Sequence, residues 1–155
     1  MSNRIKKVLF ICHGNICRSP MSEYVMKDML DKRHLKNEFY IASAATSREE
    51  IGNPVHRGTR EILRKQGIST EGKYAVQMTK ADYENYDYLI AMDKWNISNM
   101  MKIVGSDPDG KVKRLLDFAD NPRDIADPWY TGDFTTTYQD VCEGCEAFLN
   151  WLLEN

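Results

Sequence analysis

A cysteine and an arginine bracket a short loop near the start of the chain, in the segment Cys12-His13-Gly14-Asn15-Ile16-Cys17-Arg18. A loop of this length that turns its backbone N–H groups inward can surround a phosphate. A thiolate would then lie beneath the phosphate, and a guanidinium would clamp its oxygens. Because a thiolate in that position can attack phosphorus, the residue types and their spacing predict phosphoryl transfer to the Cys12 sulfur.

The residues on either side of this loop make the pattern specific, since a Cys and an Arg at this separation also occur together by chance. The apolar run Val8–Ile11 predicts a buried parallel strand before the loop. Gly14 and Asn15 tolerate the left-handed backbone that such a turn needs. The pair Ser19-Pro20 predicts a helix start with Ser19 as N-cap, and a helix start favours a thiolate nearby.

Strand and helix patterns alternate along the chain, which predicts an α/β fold with a parallel sheet covered by helices. The predicted strands are Lys7–Cys12, Phe39–Ala45, Tyr88–Met92 and Val112–Leu116, with a short extended piece near Ala75–Met78. The predicted helices are Ser19–Lys32, His56–Gln66, one that carries Ile97 to Val104 and a last one that carries Tyr138 to Leu152. The loop Ala119–Thr136 is long enough to suggest a functional role. A chain of 155 residues is expected to form a single domain, residues 1–155.

Composition and charge bound the classes of function. The formal net charge of −2 gives no indication of binding to nucleic acid or to an anionic membrane, so neither is expected as a partner. No segment is long enough to span a bilayer, and the apolar run after the basic N-terminus is too short for a signal peptide. We expect a cytoplasmic protein with reduced cysteines. His34 and His56 have no ligand-spaced neighbours, so we expect no metal and no cofactor.

The segment Val8–Glu23 resembles the phosphate loop of the low-molecular-weight protein tyrosine phosphatases. A second match, Asp127-Pro128-Trp129-Tyr130, lies where that family carries its general acid, and the resemblance covers roughly Lys7 to Leu152. It implies a three-layer fold with four parallel strands in the order 2-1-3-4 and the phosphate loop after strand 1. It also implies hydrolysis of phosphotyrosine and aryl phosphate monoesters through a phosphocysteine intermediate, on phosphotyrosine-containing proteins, with inhibition by phosphate or vanadate.

Three residues are then expected to carry the reaction. Cys12 is the expected nucleophile, and Arg18 is expected to hold two phosphate oxygens with its planar fork. Asp127 is expected to protonate the leaving phenolate and then to deprotonate the attacking water. Asp124 is the competing acid, but the aromatic pair and the family match favour Asp127. The phosphate is expected to lie against Arg18 and the loop residues His13, Gly14, Asn15, Ile16 and Cys17.

Two serines are expected to support the loop. Ser19 is expected to place its hydroxyl near the Cys12 sulfur, where it stabilises the thiolate when the intermediate breaks down. Ser43 and Asn15 are expected to share a hydrogen-bond network. The family often completes that network with a histidine before a short Ala-Arg segment, whereas this chain has Gly72-Lys73-Tyr74-Ala75-Val76-Gln77. The support is therefore either rebuilt or weaker.

The walls of the substrate cleft are expected to differ in character. Trp129 and Tyr130 are expected to form one wall, against which a flat substrate ring packs. The loop Ser47–Ile51 is expected to form the other. Many relatives have an aromatic residue in that loop, whereas this chain has Arg48-Glu49-Glu50, so its cleft is expected to be more acidic and more open. His13 replaces an aliphatic residue, and its imidazole either responds to pH near neutrality or is a solvated side chain without a role.

The other cysteines have separate expectations. In the family, a cysteine at the position of Cys17 can form a reversible disulfide with the nucleophile Cys12 and protect it from over-oxidation. Cys142 and Cys145 have C-x-x-C spacing, but they lie on the apolar stripe of the last helix. Packing is therefore their expected role.

Alternatives within the same fold remain at this point. A protein-arginine phosphatase typically carries a small Thr where this chain has Ile16. A thiol-coupled arsenate reductase needs further cysteines to relay a disulfide, and the segment Asp82–Asp93 has none. An inactive phosphate-binding module would not need Cys12, Arg18 and Asp127 together. The oligomeric state is expected to be a monomer or a weak dimer.

Overall fold

Four parallel strands form the central sheet of the computed structural model, which describes residues 4–155. The strands are β1 (Lys6–Cys12), β2 (Phe39–Ala45), β3 (Tyr88–Ala91) and β4 (Val112–Arg114), and they lie in the order β2-β1-β3-β4. Every pair is parallel. The predicted sheet and its strand order are therefore confirmed.

Six α-helices and two 3₁₀ helices accompany the sheet in the described part of the chain. The α-helices are α1 (Arg18–Lys32), α2 (Arg57–Lys65), α3 (Asp82–Asn85), α4 (Lys94–Val104), α5 (Pro128–Thr131) and α6 (Phe134–Glu154), and the 3₁₀ helices are Lys36–Glu38 and Leu115–Phe118. The extended piece Ala75–Met78 makes a single parallel bridge, Ala45 to Gln77, beside the end of β2. No helix within residues 4–155 combines the length and the apolar character that crossing a membrane requires.

The sheet is covered on both faces, which confirms the three-layer α/β class. Side chains alternate along β1, as they must in a strand. Val8, Phe10 and Cys12 point to the face covered by α1 and α6, where they share a core with buried residues of those helices. Leu9 and Ile11 point to the other face, where the buried side chains of α4 cover them. Cys145 of α6 lies in the first core, which confirms its packing role.

Several predicted boundaries are wrong, including the end of β4, the start of α1 and the extent of the long loop. The fourth strand ends at Arg114 and not at Leu116, because the 3₁₀ turn sends both Leu115 and Leu116 into the same core, whereas consecutive strand residues face opposite sides. Helix α1 begins at Arg18, with Cys17 as N-cap. The loop predicted to reach Thr136 instead contains α5 and ends where the Asp133 carboxylate caps α6 by accepting from the Thr136 N–H.

The position of Cys12 decides where a site can form. Cys12 is the last residue of β1, and α1 begins six residues later, so the loop between them lies at the carboxyl edge of the sheet. Ligands in open parallel sheets bind at this edge. Asp93, at the start of α4, follows β3 at the same edge. The fold thus brings a cysteine, a helix N-terminus and a carboxylate from separate elements to one place.

Candidate active site

A cavity of about 170 Å³ opens at the carboxyl end of β1. It is lined by Cys12, His13, Gly14, Ile16, Cys17, Arg18, Glu49, Glu50, Asp127, Trp129 and Tyr130. This set contains the predicted nucleophile, clamp, acid and aromatic wall, and Glu49 and Glu50 from the predicted opposite wall. Asn15 is the exception among the loop residues, because it is buried behind the loop and does not line the cavity.

The Cys12 sulfur is surrounded by hydrogen-bond donors. The backbone N–H groups of Asn15 and Ser19 donate to Sγ over 3.3 Å and 3.4 Å. The Ser19 hydroxyl oxygen lies 3.0 Å from Sγ. The sequence suggested that Ser19 caps α1. Its hydroxyl and its N–H both face the Cys12 sulfur instead, so Ser19 is not the cap. Donors that converge on one sulfur at the start of a helix can stabilise negative charge that develops on it during a reaction.

The second cysteine of the loop has a different environment. Burial raises the pKa of Cys17 to about 12, and the negative charges of Cys12 and Asp127 act in the same direction. Cys17 is therefore held as a neutral thiol at neutral pH. The two cysteines of the loop therefore lie in different environments, and within residues 4–155 only the Cys12 sulfur accepts from several donors.

Arg18 is a fully buried cation at the floor of the site, with its side chain only 2 % exposed. Its Nη1 donates to Asp93 Oδ2 over 2.6 Å and to the carbonyl oxygen of Ile125 over 2.8 Å, and Nη2 lies 3.4 Å from Asp127 Oδ2. Burial acts to lower the pKa of Arg18, but the opposite charges of Cys12 and Asp93 outweigh it and raise that pKa above its usual value. Within the described residues, the buried Nε–H has no hydrogen-bond partner.

Asp93 was not among the residues to which the sequence assigned a role. It caps α4 by accepting from the Asn96 N–H over 2.7 Å, and its other oxygen pairs with Arg18. The signal was present, because an Asp followed three residues later by Asn at the end of a buried strand is typical of a capped helix start. What the sequence lacked was the long-range partner.

Asp127 lies at the rim of the cavity, as the N-cap of α5. Its Oδ1 accepts from the Trp129 N–H over 3.1 Å, and this fixes the carboxylate near Arg18. Asp124, the competing acid, instead accepts from the Lys94 N–H and from Arg114 Nη1, both over 3.0 Å. Since Asp124 does not line the cavity, the geometry favours Asp127.

Two further rings, those of His56 and Phe134, pack behind the aromatic wall formed by Trp129 and Tyr130. The exposed side chain of Tyr130 borders the cavity, and Trp129 packs edge-on against His56, with ring centroids 5.6 Å apart. His56 stacks in turn on Phe134 of α6, with a centroid separation of 5.1 Å. The sequence gave no role to His56 or Phe134, which the fold brings together from distant segments.

The opposite wall is acidic, as expected from Glu49 and Glu50. His13 reaches across the mouth of the cavity, and its Nε2 contacts Glu49 Oε2. The Glu50 carboxylate accepts from Asn53 Nδ2 over 2.5 Å, which holds this side chain on its own loop. His13 is therefore paired with the acidic wall, with its side chain 49% exposed.

A buried hydrogen-bond network supports the loop from behind. Asn15, whose φ of 59° is left-handed, donates from Nδ2 to Ser19 Oγ over 2.8 Å and to Ser43 Oγ over 2.9 Å. The Val76 N–H donates to Asn15 Oδ1 over 3.2 Å, and the Ser43 hydroxyl donates to Glu23 Oε1 over 2.5 Å. Asn15 and Ser43 thus share a hydrogen bond, and Glu23 and the Val76 N–H complete the network.

Comparison with known proteins agrees with this geometry. Residues 7–155 match the model of the family described as low molecular weight phosphotyrosine protein phosphatase. The chain is 43% identical over 144 residues to the low molecular weight protein-tyrosine-phosphatase YfkJ of Bacillus subtilis, covering 92% of each chain. It is 38% identical over 153 residues to the low molecular weight phosphotyrosine protein phosphatase of Gallus gallus, covering 96% of each. The crystal structure of YfkJ superposes with a TM-score of 0.92, covering 97% of this chain and 96% of that one at 41% identity.

Proposed function

The chain belongs to the low molecular weight phosphotyrosine protein phosphatase family, and from this premise we propose that its phosphatase reaction passes through a phosphocysteine intermediate on Cys12. The observation that carries the proposal is the convergence of hydrogen-bond donors on the Cys12 sulfur, in a cavity that Arg18 and Asp127 also line. The thiolate attacks phosphorus as the bond from phosphorus to the aryl oxygen breaks. Asp127 gives its proton to the leaving phenolate.

The second half of the reaction returns the enzyme to its starting state. The Asp127 carboxylate takes a proton from water as the water oxygen attacks phosphorus. The bond from sulfur to phosphorus then breaks, inorganic phosphate leaves, and Cys12 is again a thiolate. The Ser19 hydroxyl, 3.0 Å from Sγ, donates to the departing sulfur and stabilises its charge.

The geometry of Arg18 supports a role in binding the phosphoryl group. Its Nη1 is held by Asp93 and Ile125, whereas the Nε–H lacks a partner among the described residues and Nη2 makes only a long contact to Asp127. Nε and Nη2 form one edge of the guanidinium and can donate side by side to two phosphate oxygens. The anchored Nη1 prevents the rest of the group from reorienting.

Phosphotyrosine fits the walls of the cavity better than phosphoarginine. Ile16 lines the cavity and takes space that a guanidinium stem would need, and Trp129 and Tyr130 offer flat apolar surface to a phenyl ring. A thiol relay to arsenate is disfavoured because burial raises the pKa of both Cys142 and Cys145 above the ordinary value for a thiol.

The test of this function compares substrates and traps the intermediate. Wild-type protein is mixed with a phosphotyrosine peptide or a phosphoarginine peptide, and the release of phosphate is followed across pH. A parallel reaction with p-nitrophenyl phosphate is quenched in acid and the protein is digested. The masses of the peptides are then measured to find the one that carries an added phosphoryl group. We expect the phosphotyrosine peptide to be preferred and the added group to lie on the Cys12 peptide. Phosphate binding without turnover would instead indicate a binding module.

Replacing Tyr130 with alanine is expected to weaken the binding of aryl substrates in particular. The exposed ring contributes flat contact area worth about 0.5–1.5 kcal/mol, which corresponds to a rise in KM of about 2- to 12-fold for p-nitrophenyl phosphate. The KM for an alkyl phosphate should rise much less. The measurement is the ratio of the two KM values in wild type and variant, with Trp95→Ala, an exposed tryptophan on α4, as the control. Equal losses for both substrates would remove the stacking role.

Several expectations remain predictions about the same protein. They are the single domain over residues 1–155, the cytoplasmic location, the monomeric or weakly dimeric state, and inhibition by phosphate or vanadate. Protection of Cys12 by a reversible disulfide to Cys17 is another. Its test treats wild type and Cys17→Ser with peroxide and measures how much phosphatase activity a dithiol then restores. Equal recovery in both proteins would contradict the disulfide.

A further inference from the structure

Lys73 is a largely buried cation to which the reaction above gives no part. Its side chain is only 12 % exposed, and its ammonium donates to the carbonyl oxygen of Ser43 over 2.9 Å and lies 3.8 Å from Glu23 Oε1. Burial lowers the pKa of Lys73, and the Glu23 carboxylate opposes that effect. A lysine is costly to bury without a function or a strong partner, so its contacts decide what it does.

The contacts of Asn15 fix the direction of the hydrogen bonds behind the loop. The Val76 N–H donates to the amide oxygen of Asn15, so the amide nitrogen faces the two serines and gives one proton to each hydroxyl oxygen. Each serine therefore accepts from Asn15 and has one proton left to donate. The Ser43 proton goes to Glu23, and the Ser19 proton points to the Cys12 sulfur.

This arrangement requires that Glu23 Oε1 stay within reach of the Ser43 hydroxyl. Glu23 is buried, and its Oε1 lies 2.5 Å from Ser43 Oγ and 3.8 Å from the Lys73 ammonium, which also holds the Ser43 carbonyl. If the carboxylate moved away, the Ser43 hydroxyl would turn to another acceptor. The relay that runs from Ser43 through Asn15 to Ser19 would then lose the contact that holds Asn15, and with it the contact that orients the Ser19 hydroxyl.

We propose that Lys73 is a positioning residue that holds the Glu23 carboxylate and the Ser43 backbone in place and thereby orients the Ser43–Asn15–Ser19 relay, so that the Ser19 hydroxyl donates to the Cys12 sulfur. The inference rests on the proposed function, because its effect falls on one step of that reaction. The hydroxyl stabilises the sulfur as a leaving group, so Lys73 speeds the breakdown of phosphocysteine more than its formation. Lys73 also ties the Ser43 backbone to the same carboxylate.

A second lysine provides a matched control. Lys27 Nζ lies 2.5 Å from Glu23 Oε2, on the solvent side, and its side chain is 44 % exposed. Lys27→Met removes one positive charge from the same carboxylate, as Lys73→Met does, but leaves the buried contacts to Ser43 in place. An exposed pair of this kind contributes little, so Lys27→Met should change the rates by less than about twofold.

The experiment measures how much enzyme is held as phosphocysteine during steady turnover of p-nitrophenyl phosphate, together with kcat. In Lys73→Met we expect kcat to fall by about 3- to 30-fold and the phosphocysteine fraction to rise, since breakdown is the slowed step. The affinity for inorganic phosphate should change by less than about twofold. Lys73→Arg, which keeps the charge, should recover most of the rate. Thermal unfolding of each variant checks that the fold is kept.

A double-variant cycle tests whether Lys73 acts through Ser19. If it does, Lys73→Met should have almost no further effect on kcat in a Ser19→Ala background. Independent, multiplicative losses would overturn the proposal, as would an unchanged kcat in Lys73→Met or an equal loss in Lys27→Met. Absence of turnover and of phosphocysteine in the wild type would instead overturn the proposed function itself, so the two failures are distinguishable.

Discussion

Cys12→Ser is expected to lower kcat for p-nitrophenyl phosphate by more than about 10³-fold, because removal of a nucleophile ends the covalent route. A serine hydroxyl is far less acidic than a thiol, so almost none of it is ionised to attack phosphorus, and Asp127 serves the leaving group. The inward N–H groups and Arg18 remain, so the variant should still bind inorganic phosphate. The measurements are kcat by p-nitrophenol release and phosphate affinity by calorimetry.

The control for this variant is another cysteine of the same chain. Cys142→Ser replaces a half-buried thiol on α6 and should keep kcat within about twofold of wild type, since a conservative change away from the site has a small effect. Measurable turnover in a pure preparation of Cys12→Ser would show that another group attacks phosphorus. Loss of phosphate binding in that variant would instead show that the loop itself had been disturbed.

Local signals explain why so much of the site was predictable. Cys12, the loop and Arg18 form one continuous segment, and their backbone conformation follows from residue types in that segment, such as Asn15 with its left-handed φ. Asp127 and the aromatic pair lie in a second continuous segment. Each segment could be interpreted by itself, and only the family resemblance placed the two at one cavity.

The residues to which the sequence assigned no role act through long-range contacts. Glu23 and Asp93 are an ordinary helix residue and an ordinary helix cap until the fold puts them beside Ser43 and Arg18. The same holds for Lys73, which replaces a residue of the family pattern and whose partners come from two other elements. Nothing in the local residue pattern encodes such a partner.

The predicted start of α1 was wrong for a related reason. Ser19-Pro20 is a good local N-cap signal, but the Ser19 hydroxyl and N–H are both drawn to the Cys12 sulfur, and α1 begins one residue earlier at Arg18. Competition between a local cap and a site contact is decided by tertiary structure, and the local signal cannot report it. The misplaced cap thus marks a functional residue.

Asp127→Asn is expected to lower kcat/KM for a phosphotyrosine peptide by about 10²- to 10⁴-fold, the usual contribution of a positioned proton donor. Asparagine is the informative replacement because its side-chain oxygen can still accept from the Trp129 N–H, so α5 keeps its cap while the proton is lost. The phenol of tyrosine titrates near ~10, so its phenolate is a poor leaving group without a proton. The more acidic p-nitrophenol should need the proton less.

The dependence on the leaving group, more than the size of the loss, identifies the acid. A series of aryl phosphates with phenols of increasing basicity should give a steeper decline of log kcat/KM in Asp127→Asn than in wild type. Asp124→Asn is the matched control, since it removes the neighbouring carboxylate that pairs with Arg114 and should leave the slope unchanged. Parallel slopes in Asp127→Asn and wild type would mean that Asp127 serves the Arg18 ion pair alone and that the proton comes from another group. A steeper slope in Asp124→Asn would transfer the acid role to that residue, although it does not line the cavity.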